Sequence, residues 1–262
     1  MPATTVTKHP NGSEIHFEEE AHRYFMPGKE IKFTSVTSLV NANFPKFETE
    51  KVALKVVQKE FRVKNQHPTE AELSARVTAL LAEWDLKRDV ACDYGTRVHE
   101  NCEAQLLNLP IPNPAKNEKE TKVMALAVEE VRKLQQKFHF YGCESVLFSE
   151  KLALAGTIDL LMWDAETESV LILDWKTNAK ISIENRWQSG LGPLAHLEDS
   201  SYNHYALQLS VYQHLLVSEG YFPLDTKFVR RLIHIHEQSG VKYYDLPFFG
   251  REVINIISLN NQ

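Results

Sequence analysis

The sequence predicts an α/β (α+β) protein with a central mixed β-sheet flanked by helices. Three observations carry this: helical apolar spacing through the first half, short β-rich runs from Glu144 onward, and an amphipathic helix between those runs and a last strand pair. At 262 residues, 43% apolar and 24% charged, the chain is long enough to bury a core without disulfides or structural metal. Cys92, Cys102 and Cys143 are odd in number and scattered, with no CxxC pair, which points to a reducing compartment. No apolar run approaches the roughly 18 residues of a membrane span, and Met1 to Glu14 lacks a signal core or an Arg-rich amphipathic pattern. These features describe a soluble intracellular protein.

In chain order, Glu14 to Phe33 alternates apolar and polar around Met26-Pro27-Gly28-Lys29, predicting a hairpin turned there. Ser35-Val36-Thr37 sets a hydroxyl where a helix N-cap belongs. Val52, Leu54, Val56, Val57 and Phe61 predict a helix over Glu48 to Arg62, and a second is expected from Thr69 to Trp84. Helices over Asp89 to Leu107 and Lys119 to Phe138 follow, split by the proline-rich break from Leu109 to Pro114. Glu144 to Leu152, Thr157 to Asp164 and Val170 to Lys176 predict a three-stranded meander joined at Ala155-Gly156 and at Ala165 to Ser169. A polar loop from Asn178 to Ser201 leads to a helix over Tyr202 to Ser218. Strands Phe228 to His236 and Val241 to Leu246, turned at Ser239-Gly240, precede a last helix from Arg251.

A net charge of -6 weighs against a simple nucleic-acid binder, whose affinity is built from Lys and Arg. An enzyme that holds divalent metal in carboxylates is acidic at its site and need be basic only along the substrate path. Lys51, Lys55, Lys59 and Arg62 share one helix face, which reads either as a solvated surface or as a stripe facing phosphates.

The strands carry the chemistry. Asp159 lies in Gly156-Thr157-Ile158-Asp159, and Asp174-Trp175-Lys176 ends the run Val170 to Leu173. Residues i and i+2 of a strand share a face, so Asp174 and Lys176 point the same way, and a neighbouring strand can bring Asp159 beside them. A salt bridge explains part of this; two mutually repelling carboxylates are better explained by a bound cation. Oxygen ligands favour one or two Mg²⁺ or Mn²⁺ ions, which suits phosphodiester hydrolysis with Lys176 orienting water or stabilising charge. His99 and Glu103 are one helical turn apart, so a carboxylate could set the imidazole tautomer while its other nitrogen faces metal, although a lone helical His is often an ordinary one. Gln208 and Tyr212 likewise share a helical face. Ser35 and Thr37 are read with even weight as an N-cap or as phosphate contacts. His234 and His236 lack further ligands at zinc spacing and read as sheet residues; there is no P-loop and no GxSxG elbow.

Taken in order, GxxxH on a helix (Gly95 to His99), GxxD on one strand, DxK on the next and QxxxY on the following helix closely resemble the PD-(D/E)xK nuclease superfamily, specifically its RecB-like exonuclease branch. The likeness covers Gly95 to Leu216. Ser35-Val36-Thr37 extends it, because a similar element precedes the nuclease core in the mitochondrial genome maintenance exonuclease and related phage proteins. The resemblance implies that His99, Asp159 and Asp174 ligate metal with help from the Trp175 carbonyl, and that Lys176 is the catalytic lysine. It implies that Glu150 makes a second metal or water contact, and that Gln208 and Tyr212 support the site and touch DNA. It also implies a restriction-endonuclease-like core in a single nuclease domain over 1–262, with a hairpin and helical arch in 1–88 and the core in 89–262. Lys51, Lys55, Lys59 and Arg62 would line the strand path, with Trp84 or Tyr94 available for stacking. The activity expected from the likeness is a metal-dependent exonuclease on DNA, preferentially single-stranded or frayed ends, with a structure-selective endonuclease of the same superfamily or a non-catalytic nucleic-acid-binding module as alternatives, and ring-forming relatives leave a multimer open. The expected location is the cytoplasm of a bacterium, or of a host cell if phage-encoded. Iron-sulfur members of the branch use four cysteines, which three scattered ones do not supply, so no cluster is expected.

Overall fold

The computed structural model describes residues 4–18, 21 and 23–260. Its elements run β1 (Thr4–Lys8), β2 (Glu14–Glu18), β3 (Arg23–Phe25), β4 (Thr34–Ser35), α1 (Val36–Ala42), α2 (Thr49–Val63), α3 (Glu70–Leu106), α4 (Glu118–Lys137), β5 (His139–Ser149), β6 (Leu154–Asp164), β7 (Ser169–Lys176), a short 3-10 turn (Gly192–Leu194), α5 (Ser201–Ser218), β8 (Lys227–His236), β9 (Gly240–Asp245) and α6 (Gly250–Asn260). The chain divides into two compact units, Met1–Pro45 with Val98–Gln262, and Lys46–Arg97.

Within the first unit lie two sheets. The small one is antiparallel with order β1-β2-β3. This corrects the expected hairpin: Met26-Pro27-Gly28-Lys29 turns after β3, with Lys29 N–H bonded to the Met26 carbonyl at 3.1 Å, and joins no strand pair. Ile31 and Phe33 pack instead on the cluster of Ile15, Tyr24, Met26, Val146, Phe148 and Ala155, so burial takes the residues that alternation assigned to a second strand.

The larger sheet is mixed, in the order β4-β6-β7-β8-β9, with β5 on the other edge of β6. β5, β6 and β7 form the expected antiparallel meander, and β7 and β8 are parallel, as α5 crosses between them. β7 is buried at every position except Lys176, as a central strand covered on both faces must be. Val170 and Ile172 face a core shared with α1, α5 and α6, built on Leu39, Leu207, Val211, Leu215 and Val253. α4 packs against β5, β8 and β9.

One connection places the site. β4 pairs with β6 only at Leu154 and Ala155, whereas β7 pairs with the same edge from Leu160 to Asp164. Between those contacts, Gly156 to Asp159 have no strand beside them on that edge. Gly156 is needed there: a Cβ would lie 2.7 Å from Tyr212 Cε1 and 2.9 Å from Val36 Cγ2. Gly156→Ala is therefore expected to lower stability by about 1–3 kcal/mol through overpacking, read as a lower melting temperature without metal.

In the second unit, α2 and the first turns of α3 bury Ala53, Val57 and Leu80 against Phe61, Leu73, Val77, Leu81 and Trp84. The two helices expected over 69–84 and 89–107 are one continuous helix, because Asp85-Leu86-Lys87-Arg88 contains neither proline nor glycine to break it. Among the described residues, no helix is long and apolar enough to cross a membrane.

Candidate active site

The strand registers align three carboxylates. Cys143 pairs with Leu160 and Ser145 with Ile158, so Glu144 stands opposite Asp159; Leu160 pairs with Leu173, so the next step brings Asp159 to Asp174. Past Leu160 the two strands part, and the Trp175 N–H that a continued ladder would use donates instead to Asp159 Oδ2 at 2.9 Å.

His99 reaches this row from α3. Its Nε2–H donates to the Trp175 carbonyl at 3.0 Å, and Nδ1 lies 3.5 Å from Asp159 Oδ2. With one ring nitrogen held by a backbone carbonyl, the neutral imidazole keeps its lone pair on Nδ1, the arrangement a histidine ligand uses. The carbonyl of Trp175 therefore orients the ring, the role that helical spacing assigned to Glu103. Glu103 contributes instead to the negative charge around Glu144.

Ligand atoms of His99, Glu144 and Asp159 all lie within 4.8 Å of one another. Burial and the charges of Asp159, Glu103, Asp174 and Glu100 push the Glu144 carboxyl up to about 8. Because Glu144 remains exposed, the crowding of like charge is the firmer cause. A divalent cation relieves that crowding, so the donor set fits one. The nearby thiols do not compete as ligands: burial, with Asp159 and Glu144 nearby, holds Cys102 well above the usual thiol range, and burial with Glu103 and Glu144 raises Cys143 to about 11. One imidazole and carboxylate oxygens, without thiolate, make up the donor set.

Asp174 and Lys176 sit one strand further on as a close ion pair. Burial pushes Asp174 up to about 6, with Lys176 opposing the rise and Asp159 adding to it. Burial would lower Lys176, but Asp174 and Asp159 outweigh it and hold the ammonium above its ordinary value. Lys176 is thus a fixed cation, suited to stabilising negative charge and unsuited to accepting a proton. Its Nζ also donates to the Trp175 carbonyl at 3.3 Å and lies 4.8 Å from the Tyr205 ring centroid. That carbonyl, expected as a metal ligand, already accepts hydrogen bonds from His99 and Lys176.

α5 supplies the next layer. Gln208 Nε2 donates to Thr37 Oγ1 at 3.3 Å and to the Tyr212 hydroxyl at 3.2 Å. Burial raises Tyr212 well above the usual phenol range, so it stays protonated. Ser35 caps α1, its Oγ accepting from Ser38 N–H at 3.0 Å. Beyond β7, the His234 Nε2–H donates to the Asn178 carbonyl at 2.7 Å, pinning the loop that leaves the site.

Glu150 lies away from the row, and the predicted basic and stacking residues belong to the second unit. Glu150 follows the end of β5, and hydrogen bonds from Lys29 and Ser13 hold its carboxyl below the usual range. Six residues from Glu144, it is roughly 20 Å further along the strand direction. The glutamate beside His99 and Asp159 is Glu144, which sequence reasoning missed. The turn was the available signal, since Ser149 pairs with Leu154 and counting back equally from it sets Glu144 against Asp159. Lys51, Lys55, Lys59 and Arg62 are exposed on α2 in the second unit, with Lys51 paired to Glu48 at 2.6 Å. Trp84 packs on that unit's core and Tyr94 is half-buried on α3.

A search of curated proteins returns no match. The family model of the PD-(D/E)XK nuclease superfamily matches residues 53–248, a span that holds the carboxylate row, Lys176, Gln208 and Tyr212. The mixed sheet with its flanking helices is the restriction-endonuclease-like fold of that group, and the match takes in well over half of the sequence. The chain therefore belongs to the PD-(D/E)XK nuclease superfamily.

Proposed function

We propose that this protein is a Mg²⁺- or Mn²⁺-dependent deoxyribonuclease that shortens DNA from single-stranded or frayed ends. Superfamily membership supports metal-dependent nuclease activity. The observation that carries the reading further is the convergence of His99, Glu144 and Asp159 within 4.8 Å, one strand from the buried Asp174–Lys176 pair.

His99, Glu144 and Asp159 would hold the cation, with Asp174 close enough in the row to share a second one. A cation there supplies Lewis-acid stabilisation at the phosphoryl oxygens and lowers the pKa of a coordinated water. Asp159 couples the site to the strand that follows, because it accepts the Trp175 N–H and so fixes the backbone between Asp174 and Lys176. The Lys176 ammonium, aimed by Asp174 and the Tyr205 face, stabilises charge that develops on the phosphoryl group. Gln208 ties Thr37 to Tyr212 and closes the floor below the unpaired stretch of β6. Lys55, Lys59 and Arg62 supply exposed positive charge for the DNA backbone. Reversing Lys55 and Lys59 to Glu is expected to weaken DNA binding and to reduce the slope of log affinity against log salt by about 1–2, read by fluorescence anisotropy at several ionic strengths.

The deciding experiment digests end-labelled single- and double-stranded DNA and a closed single-stranded circle, with Mg²⁺, with Mn²⁺ and with chelator. Loss of label from linear strands only, abolished by chelator, is expected. Cutting of the circle would replace end-dependent with internal cleavage, and equal activity in chelator would end the metal-dependent reading.

A further inference from the structure

Beside the carboxylate row lies a cavity of about 360 Å³, lined by Thr37 and Asn41 of α1 and by Asp199, His204, Tyr205 and Gln208. Tyr205 joins it to the reactive end, its ring within 4.8 Å of Lys176 Nζ. The volume is at the small end of the roughly 300–1,000 Å³ of ligand sites, room for one nucleoside.

Its chemistry separates what it can take from what it cannot. Among the described residues no lysine or arginine lines it, and Asp199 contributes a carboxylate, so a phosphate finds no lysine or arginine inside it. The phosphate is better served outside, at Lys176. A nucleobase has different needs: a flat surface and edge groups that both donate and accept hydrogen bonds. The amide of Asn41 does both, and Gln208, whose two N–H groups go to Thr37 and Tyr212, adds its carbonyl oxygen as an acceptor. The Asn41 amide makes no hydrogen bond among the described residues. The imidazole of His204 is a plane already fixed in place, stacked on Phe44 with centroids 3.8 Å apart and 28° between planes, and held through Nε2 by Asp199 Oδ1 at 2.8 Å. Its Nδ1 has no partner among the described residues.

We infer that this cavity receives the unpaired base of the nucleotide adjoining the bond to be cut, with Asn41 and His204 as its specificity-determining contacts. The inference rests on the nuclease reading above and deepens it: one base in a cavity of this size must already be out of its duplex, so the substrate class is a single-stranded end.

The test compares single-stranded oligonucleotides whose terminal unit, at one end or the other, carries a base or is abasic. With the wild-type full chain, the abasic unit at the recognised end is expected to lower kcat/KM about tenfold or more, mainly by raising KM. His204→Ala and Asn41→Ala should bring the base-bearing substrate down to the abasic rate and leave the abasic rate unchanged; a purely structural role would lower both together. Equal cleavage of base-bearing and abasic ends by active wild-type enzyme would overturn the inference and leave the nuclease reading standing. A metal-free NMR titration with deoxyadenosine 5′-monophosphate gives a readout without cleavage. Saturable shifts that Asn41→Trp abolishes are expected even if no DNA is cut, an outcome that would sink the nuclease reading alone. Absence of any shift would sink the cavity.

Discussion

Replacing Lys176 by methionine is expected to slow metal-dependent phosphodiester hydrolysis by about 10²–10³-fold, the scale of losing one preorganised group that stabilises developing charge. Single-turnover rates on saturating DNA isolate this effect, since α2 carries the exposed lysines that would hold the backbone. The substitution also leaves Asp174 buried without its ion-pair partner. Asp174 already stands at about 6 in the presence of Lys176, and losing that cation sends it higher. An acid whose folded value lies above its unfolded one contributes stability that is complete below the unfolded value and is lost as pH rises through the folded one. In chelator, the melting-temperature deficit of Lys176→Met relative to wild type is therefore expected to be small near pH 5 and larger near pH 8. A deficit that grew toward acid would contradict the pairing of Asp174 with Lys176.

A second large effect separates two glutamates. Glu144→Gln removes one of three converging ligands and is expected to weaken Mn²⁺ binding by at least about tenfold in titration calorimetry, with a matching rise in the metal concentration needed for cleavage. Its effect on the metal-free fold should have the opposite sign above about pH 8, where Glu144 would otherwise ionise in a cluster in which Asp159, Glu103 and Asp174 repel it. The melting temperature in chelator should hold or rise, while the increment on adding Mn²⁺ shrinks. Glu150→Gln disturbs partly exposed contacts with Lys29 and Ser13, the ion pair worth about 0–1 kcal/mol, and should leave Mn²⁺ affinity unchanged. Reversed outcomes for the two variants would restore Glu150 to the site.

The difference between those glutamates shows what was legible in the sequence. The meander, the central β7 and the crossover through α5 follow from periodicity, because a strand buried on both faces and an amphipathic helix leave strong local patterns. Asp159, Asp174 and Lys176 were legible for the same reason: period 2 fixes their faces. Glu144 depends on register, which is set by where the β5–β6 turn closes, and a strand's alternation does not reveal that offset. The orientation of His99 was hidden more deeply, since its partner at Nε2 is a backbone carbonyl 76 positions away. The Asp199–His204–Phe44 arrangement left no motif at all, because its members come from the segment after α1, from a polar loop and from α5.

The order of the elements along the chain puts the walls of the Asp174–Lys176 pair after the pair itself. Glu144, Asp159, Asp174 and Lys176 all lie in the first 176 residues, yet β8 and the α5 side chains that wall in the ion pair come only with residues 201–236. A growing chain or a proteolytic stump ending before them carries every acidic ligand and lacks the enclosure that fixes Lys176. On the nuclease reading proposed above, the cation that would face the phosphoryl group is enclosed only when this later helix and strand have packed.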